Sequence, residues 1–223
     1  MARNGPVAIS RILTALRRAY GPRPPQCWGD GVSVLVDTIL SQNTSAANSD
    51  AGFRQLRRRF RSWNRVADAP VEEVERHIRV SGLSNLKAPR IQAILRRIRG
   101  QRGKIDLQFL ADLPDEEAYA YLRSFPGVGP KTAACTLLFA FNKALFPVDT
   151  HIHRIARRLA LVAPRATAEQ THDLLTPRIA PADRYETHVL LIEHGRKTCK
   201  AISPRCGECV LLKWCPYGKQ RMR

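Results

Sequence analysis

The segment Phe125-Pro126-Gly127-Val128-Gly129-Pro130-Lys131-Thr132 places a Pro-Gly-x-Gly turn directly before a helical pattern. The first N–H groups of a helix have no partner within the helix, so this turn predicts a phosphate-binding loop. Lys131 falls in the first helical turn, where the positive end of the helix disfavours the ammonium form and favours a nucleophilic amine. The pattern alone also fits a turn closed by a C-cap glycine beside a solvated lysine, so other features must decide.

The composition is strongly basic. Lysine and arginine number 37 against 19 aspartates and glutamates, which gives a formal net charge of +18 and a pI near 10.6. Such an excess predicts a polyanionic partner, either nucleic acid or an anionic membrane. The sequence has no apolar run approaching the ~18 residues of a membrane span, and its start lacks the apolar core of a signal peptide. We therefore expect a cytoplasmic protein that binds nucleic acid and does not contact a membrane.

Apolar residues recur at helical spacing along most of the chain, while sustained alternation of the kind found in strands is absent. The stretch Val34–Leu40 is apolar on most faces, which predicts a central buried helix. Pro70 and Pro114 are each followed by acidic residues, a pattern typical of helix starts. The predicted fold class is therefore all-α.

Two breaks divide this helical pattern, the Pro22–Pro25 segment and the Asn142–Pro147 loop. We expect one helical domain over residues 26–143. The second domain should combine residues 1–25 and 144–223, with the N-terminal helix packed on the C-terminal part.

Two units within the first domain resemble each other. Asp68-Ala69-Pro70 leads through a helical pattern to Gly82 and then Lys87, and Asp112-Leu113-Pro114 leads through another to Gly127 and then Lys131. Each unit reads as a helix, a glycine turn and a second helix with a lysine near its start. The echo makes Lys87 a competing candidate for the nucleophile.

Asp149 precedes a helical stripe formed by Ile152, Ile155 and Leu159, so it is a candidate N-cap. The helix after Lys131 should run to about Phe141, roughly 16 Å. The residues that follow can extend by up to about 24 Å, enough to return Asp149 to the side of Lys131. Asp149 is thus also a candidate carboxylate for the chemistry of the lysine.

Four cysteines near the C-terminus are spaced C-x6-C-x2-C-x5-C: Cys199, Cys206, Cys209 and Cys215. Structural zinc sites usually present two close pairs, whereas four thiolates in one short loop suit a [4Fe–4S] cluster. The spacing favours iron–sulfur and leaves zinc open, while disulfides do not fit a cytoplasmic chain. Cys27 and Cys135 have apolar neighbours and are predicted to fill the core.

Taken in order, these motifs resemble the endonuclease III branch of the helix-hairpin-helix DNA glycosylase superfamily. The resemblance runs from Ile39-Leu40-Ser41-Gln42-Asn43-Thr44 through Pro126–Ala133 and Val148-Asp149-Thr150-His151 to the four cysteines. It implies two all-α domains, a six-helix barrel with the hairpin and a domain built around a [4Fe–4S] cluster. The implied function is base excision repair, in which the enzyme removes oxidised pyrimidines and cuts the strand by β-elimination.

The resemblance also implies roles for single residues. Lys131 would be the nucleophile, Asp149 the essential carboxylate, and the four cysteines the cluster ligands. The implied contacts to DNA come from the hairpin, from turn residues that fill the gap left by a flipped nucleotide, and from His151: Gly127, Val128, Gly129, Gln42, Asn43, Leu83 and His151. Lys200 and Arg205 surround the cysteines and are expected to bind phosphates.

The expected partner is double-stranded DNA with a damaged base, bound by a monomer, since one glycosylase fold completes the site. The start of the chain shows no added arm or transit peptide, which favours a prokaryotic, nucleoid-associated protein.

The sequence departs from the family pattern at two turns. Where the family commonly reads Ser-x-Gln-x-Thr-Asp, the chain has Ser41-Gln42-Asn43-Thr44-Ser45-Ala46, and Ser84 replaces a tyrosine. Both changes fall near the expected base contacts, so the substrate range stays open. The alternatives are a mismatch-directed uracil or thymine DNA glycosylase, a non-catalytic helix-hairpin-helix module, and a zinc-stabilised RNA-binding protein.

Overall fold

The computed structural model describes residues 7–223. Within that range the chain forms twelve α-helices linked by short 3-10 turns, and no strand. The predicted all-α class is confirmed. The helices are α1 (Ile9–Tyr20), α2 (Gly31–Leu40), α3 (Ala46–Arg59), α4 (Trp63–Asp68), α5 (Val71–Ile78), α6 (Ser84–Arg102), α7 (Asp115–Arg123), α8 (Pro130–Phe141), α9 (Thr150–Arg158), α10 (Ala168–Leu175), α11 (Arg184–Lys197) and α12 (Pro216–Arg221).

Local sequence explains where several helices begin. The Asp30 side chain accepts a hydrogen bond from Ser33 N–H at 2.9 Å and caps α2. Helices α5 and α7 begin directly after Pro70 and Pro114 and carry acidic residues in their first turns, as predicted. In the described part of the chain, no helix has the length and apolar character needed to cross a membrane.

The chain divides into two compact units. One runs from Cys27 to Lys143, and the other combines the chain up to Gln26 with Ala144–Arg223. We call them the hairpin unit and the cysteine unit.

The core of the hairpin unit is built around α2. Residues Leu35, Val36, Ile39 and Leu40 are almost fully buried, which confirms a central buried helix. Helix α2 packs against α8, which is buried along most of its length. This packing brings the C-terminal end of α2 next to the start of α8.

Cys27, predicted to fill the core, is exposed instead, because it lies in the extended segment that precedes α2. Cys135 is buried in α8 as predicted.

The cysteine unit packs α1 and α9 against α11. Its core includes Ile12, Leu16, Ile152, Ile155 and Leu190. An ion-pair network fixes α1 to the start of α11, because Arg17 Nε donates to Glu186 at 2.8 Å and Arg17 Nη2 donates to Asp183 at 3.0 Å.

Candidate active site and metal centre

The hairpin turn lies between α7 and α8. Gly127 has a φ of +73°, a left-handed conformation that favours glycine. The turn closes with Val128 N–H donating to Phe125 C=O at 3.2 Å, and the Val128 side chain points into the core. Gly129 is the N-cap of α8 and provides no side-chain cap. Pro130 has no N–H and Ala133 N–H donates to Gly129 C=O at 3.1 Å, so the Lys131 and Thr132 N–H groups are left available to an external anion.

Two side chains from other parts of the hairpin unit contact this turn, Gln42 after α2 and Arg90 in α6. Gln42 Nε2 donates to Gly127 C=O at 3.3 Å and to Thr132 Oγ1 at 3.2 Å. Gln42 Oε1 accepts from Arg90 Nη1 at 3.4 Å. A Cβ added to Gly127 would overlap the Arg90 guanidinium, so that group lies directly against the turn.

Lys131 is the second residue of α8 and is half-buried. Asp37, one turn before the end of α2, is close enough for the two charges to interact. Burial raises the pKa of Asp37, the Asp50 charge adds to this, and the Lys131 charge opposes it. The hairpin unit thus places a carboxyl group in the electrostatic environment of Lys131.

Lys87, the competing lysine, occupies a different environment. Its side chain is buried, and its Nζ donates to Leu40 C=O at 2.7 Å and to Ser81 C=O at 2.8 Å. Burial lowers the pKa of Lys87. Because the ammonium group is enclosed and ends α2 by binding one of its last carbonyls, Lys87 is a structural residue.

Asn43 and Leu83, two of the residues expected to contact DNA, share an unusual backbone. Both are exposed, and both have a left-handed φ, +53° for Asn43 and +52° for Leu83. Non-glycine residues adopt this conformation at a cost and concentrate at functional turns. Gln42, by contrast, is half-buried and bonded to the hairpin.

In the cysteine unit, Asp149 is the N-cap of α9. Its Oδ1 accepts a hydrogen bond from Ile152 N–H at 2.8 Å, as its position before the helical stripe predicted. The side chain is half-buried, and no hydrogen bond to Oδ2 is found among the described residues. One carboxylate oxygen thus caps the helix.

His151 is held against α11. Its ring packs on Gly195 so closely that a Cβ added to this glycine would lie 2.8 Å from His151 Nδ1. Arg154 Nη2 lies 3.0 Å from the same nitrogen. Burial lowers the pKa of His151, and the opposing charge of Asp149 raises it. The ring is therefore positioned by the protein.

The four cysteines line a single pocket, together with Arg158 and Tyr217. Among residues 7–223, no three His, Cys, Asp or Glu side chains converge closely enough to hold a single metal ion. Four thiols around one pocket are what a four-iron cube requires.

Hydrogen-bond donors face these sulfur atoms. Arg158 Nη1 lies 3.2 Å from Cys199 Sγ, and Gly218 N–H donates to Cys215 Sγ at 3.3 Å. Burial, reinforced by the neighbouring thiols, raises the pKa of Cys209 to about 11. Such buried thiols lose their protons when an electropositive metal centre binds. The donor set therefore fits an iron–sulfur cluster.

A buried histidine supports the cluster pocket. His194 Nε2 lies 3.6 Å from Cys209 Sγ, and its Nδ1 lies 2.8 Å from the Tyr20 hydroxyl. Burial lowers the pKa of His194 to about 4, so the ring is neutral at physiological pH.

Two arginines that anchor the cysteine loop were not predicted from the sequence, Arg154 and Arg158. Arg158 donates to Lys200 C=O at 2.7 Å and Ala201 C=O at 3.0 Å, and Arg154 Nη2 donates to Cys199 C=O at 2.8 Å. Their spacing of four residues on α9 puts both on one helix face, and this was the available signal. Lys200 and Arg205, the predicted phosphate ligands, are exposed on the loop.

Two family models match the chain. Residues 36–181 match the HhH-GPD superfamily of base excision DNA repair proteins. Residues 199–215 match the iron-sulfur binding domain of endonuclease III, and this match begins at Cys199 and ends at Cys215. The cofactor of the chain is a [4Fe–4S] cluster, so the zinc alternative is wrong.

Relatives come from bacteria and from plants. Endonuclease III of Thermotoga maritima is 34% identical over 86% of this chain and 85% of its own length. A protein of Arabidopsis thaliana described as a DNA glycosylase is 38% identical to this chain. The matched region covers 74% of this chain and 57% of the Arabidopsis protein. The relatives therefore do not single out a prokaryotic source.

A solved structure shows the same fold. It is a trapped covalent intermediate of endonuclease III with DNA, 28% identical, with a TM-score of 0.84 over 96% of this chain and 97% of that one. The superfamily match excludes the RNA-binding alternative, and the chain is a DNA glycosylase of base excision repair. It belongs to the endonuclease III family of the helix-hairpin-helix DNA glycosylases.

Proposed function

We propose that this DNA glycosylase is bifunctional: it removes oxidised pyrimidines and then cuts the strand through a Schiff base on Lys131. The observation that carries the proposal is the placement of a half-buried lysine in the first turn of α8, directly after an open hairpin turn. That turn offers N–H groups to a DNA phosphate, which would bring the sugar to the amine. The relative trapped as a covalent complex with DNA supports covalent chemistry in this family.

Base extrusion comes first, because the glycosidic carbon is inaccessible inside the duplex. Flipping costs a few kcal/mol, and side chains that occupy the vacated space offset part of that cost. We assign this role to Leu83 and Asn43, since both are exposed on left-handed turns of the hairpin unit. His151 is a further candidate from the cysteine unit.

Base removal and strand cleavage follow. The neutral amine of Lys131 forms a bond to C1′, and the damaged base departs with the electron pair of the glycosidic bond and takes up a proton. Ring opening gives an iminium ion between Nζ and C1′. Loss of a proton from C2′ then breaks the C3′–O bond, and the 3′ phosphate leaves. Hydrolysis of the imine returns the lysine.

A carboxylate must stabilise the positive charge that develops on the sugar and accept the proton of the attacking amine. We assign this role to Asp149. The N-cap bond to Ile152 N–H uses Oδ1, so the proposed charge stabilisation falls to the second oxygen, Oδ2.

We assign the cluster to Cys199, Cys206, Cys209 and Cys215. When bound, the [4Fe–4S] cluster cross-links this loop and holds its basic side chains in place. Lys200 and Arg205 would then contact the DNA backbone.

The test is borohydride trapping on a duplex with one thymine glycol. Borohydride reduces the imine to a stable amine, so wild type should give a covalent adduct. Lys131→Ala should abolish the adduct, while Lys104→Ala, which removes an exposed lysine of the same unit, should keep it. If wild type forms no adduct on this duplex or on an abasic one, the lyase proposal is wrong. Release of uracil or thymine from a mismatched duplex without scission would instead support the mismatch-directed alternative.

A further inference from the structure

The bonds around the hairpin turn assign Gln42 a role other than contact with DNA. Gln42 follows α2, Arg90 lies in α6, and the turn leads into α8. Through its side-chain amide, Gln42 donates from Nε2 to Gly127 C=O and Thr132 Oγ1 and accepts at Oε1 from Arg90. One side chain therefore connects three separate parts of the hairpin unit.

Arg90 holds the turn from its other side. Its guanidinium lies so close to Gly127 that an added Cβ would overlap Nε and Cζ. Arg90 can come this close because Gly127 has no side chain. The turn also requires a positive φ at this residue, which glycine adopts readily. A planar guanidinium is well suited to lie against a peptide plane and to donate to an amide oxygen at the same time.

The neighbouring residue has none of these restraints. Asn43 is exposed, and its left-handed backbone turns it away from the helical path. Two adjacent amide residues, both expected from the sequence to contact DNA, thus occupy different environments.

We propose that Gln42 and Arg90 are a positioning pair that holds the Gly127–Gly129 turn in its phosphate-binding shape, leaving contact with the vacated base site to Asn43. The proposal rests on the proposed function in that DNA is bound by this turn. A hairpin turn that binds phosphates should bind damaged and undamaged duplexes alike, because the phosphates are the same in both. A residue that fills the gap acts only where a nucleotide has been lost or flipped.

The two roles therefore predict different binding patterns, measured as Kd for an undamaged duplex and for a duplex with a tetrahydrofuran abasic analogue. Gln42→Ala and Arg90→Ala should weaken both by the same factor, about tenfold, comparable to the loss of one good charged hydrogen bond. Asn43→Ala should weaken only the abasic duplex. Arg99→Ala is the control, since it removes a charge from the same helix but pairs with Asp68 and not with the turn.

Further variants keep the test decisive. Gln42→Met preserves the side-chain size without its hydrogen bonds and replaces Gln42→Ala if the latter unfolds. Arg90→Lys keeps the charge but loses the planar group, so it should remain as weak as Arg90→Ala if positioning matters. The double variant Gln42→Ala with Arg90→Ala should lose little beyond the larger single loss.

Two results would overturn the proposal. One is a loss confined to the abasic duplex in Gln42→Ala, which would make Gln42 a gap-filling residue. The other is unchanged binding of both duplexes by Gln42→Ala and Gln42→Met. Binding needs no chemistry, so a wild-type protein without a borohydride adduct would refute the lyase activity and leave this result interpretable.

Discussion

Two regions of the hairpin unit share one local pattern and reach opposite outcomes. Gly82 and Gly127 both lie in the turn between two helices, and both have a positive φ, +68° and +73°. A helix with a lysine near its start follows each of them. Lys87 is fully enclosed and binds two carbonyl oxygens, while Lys131 is half-buried at the first turn of α8.

The position of each lysine in its helix explains the difference. Leu83 caps α6, which places Lys87 at the end of the first turn on the side that faces α2. Lys131 follows Pro130 at the very start of α8, beside the open N–H groups. A similar sequence unit thus gives a structural cation in one case and a candidate nucleophile in the other.

The largest effect separates the two lysines by chemistry. Lys131→Ala should reduce strand scission by on the order of 10³-fold or more, because the nucleophile is lost. The melting temperature should change little, since the side chain is only half-buried. Gel assays of scission and a thermal melt measure both. An adduct that persists in Lys131→Ala but disappears in folded Lys87→Ala would reverse the assignment.

The next effect separates them by stability. Lys87→Ala leaves a cavity and removes the donor from the carbonyls of Leu40 and Ser81, which should cost about 3 kcal/mol. For a chain of this size the melting temperature should fall by roughly 10 °C. The folded fraction should still form the borohydride adduct. A melting temperature equal to that of wild type would contradict the structural role of Lys87.

A smaller effect distinguishes the two glycine turns. Alanine at either glycine is strained, by on the order of 1–3 kcal/mol, because φ is positive. A Cβ at Gly82 meets nothing within 4 Å, whereas one at Gly127 displaces Arg90. Both variants should therefore lose stability, but only Gly127→Ala should lose DNA affinity. Equal Kd values for the two variants would contradict the close contact of Arg90 with the turn.

The smallest effect concerns Asp37, the carboxyl group near Lys131. Lys87 differs in this respect, because its two hydrogen bonds go to backbone carbonyls and not to a carboxylate. Burial raises the pKa of Asp37 above its ordinary 3.8. Between the ordinary pKa of the unfolded state and the raised pKa of the native state, the native state binds more protons than the unfolded state. The free energy of unfolding therefore falls as the pH rises through this range. Asp37→Asn should be more stable than wild type at pH 7, and the gain should disappear below about pH 4. Urea unfolding at both pH values measures it, and a gain that is the same at both would rule out titration of Asp37.

Much of the fold could be predicted because its signals are local. Helical periodicity predicted the all-α class, and Pro70 and Pro114 with the acidic residues after them marked two helix starts. The spacing of the four cysteines favoured iron–sulfur, and the family match confirmed it. The roles of Lys131 and Asp149 stay predictions that the proposed experiments test.

Contacts between distant parts of the chain could not be predicted in the same way. Gln42 and Asn43 are chemically alike neighbours, and only the packing of α2 on α8 decides which of them meets the hairpin. The burial of Lys87 depends on the carbonyl of Leu40, which lies 47 residues away in sequence. The spacing of Arg154 and Arg158 on α9 put both arginines on one helix face, but the carbonyl that Arg158 binds, that of Lys200, is 42 residues away in sequence.

The sequence by itself determined the helices, the open hairpin turn, the cysteine loop and the excess of positive charge. Each of these depends on residues close together in the chain, through backbone preferences, capping and ligand spacing. Tertiary structure decided which lysine is enclosed, which amide residue supports the turn, and which arginines anchor the cysteine loop. Those outcomes depend on burial and on hydrogen bonds between residues far apart in sequence, because the same side chain has a different free energy in each environment.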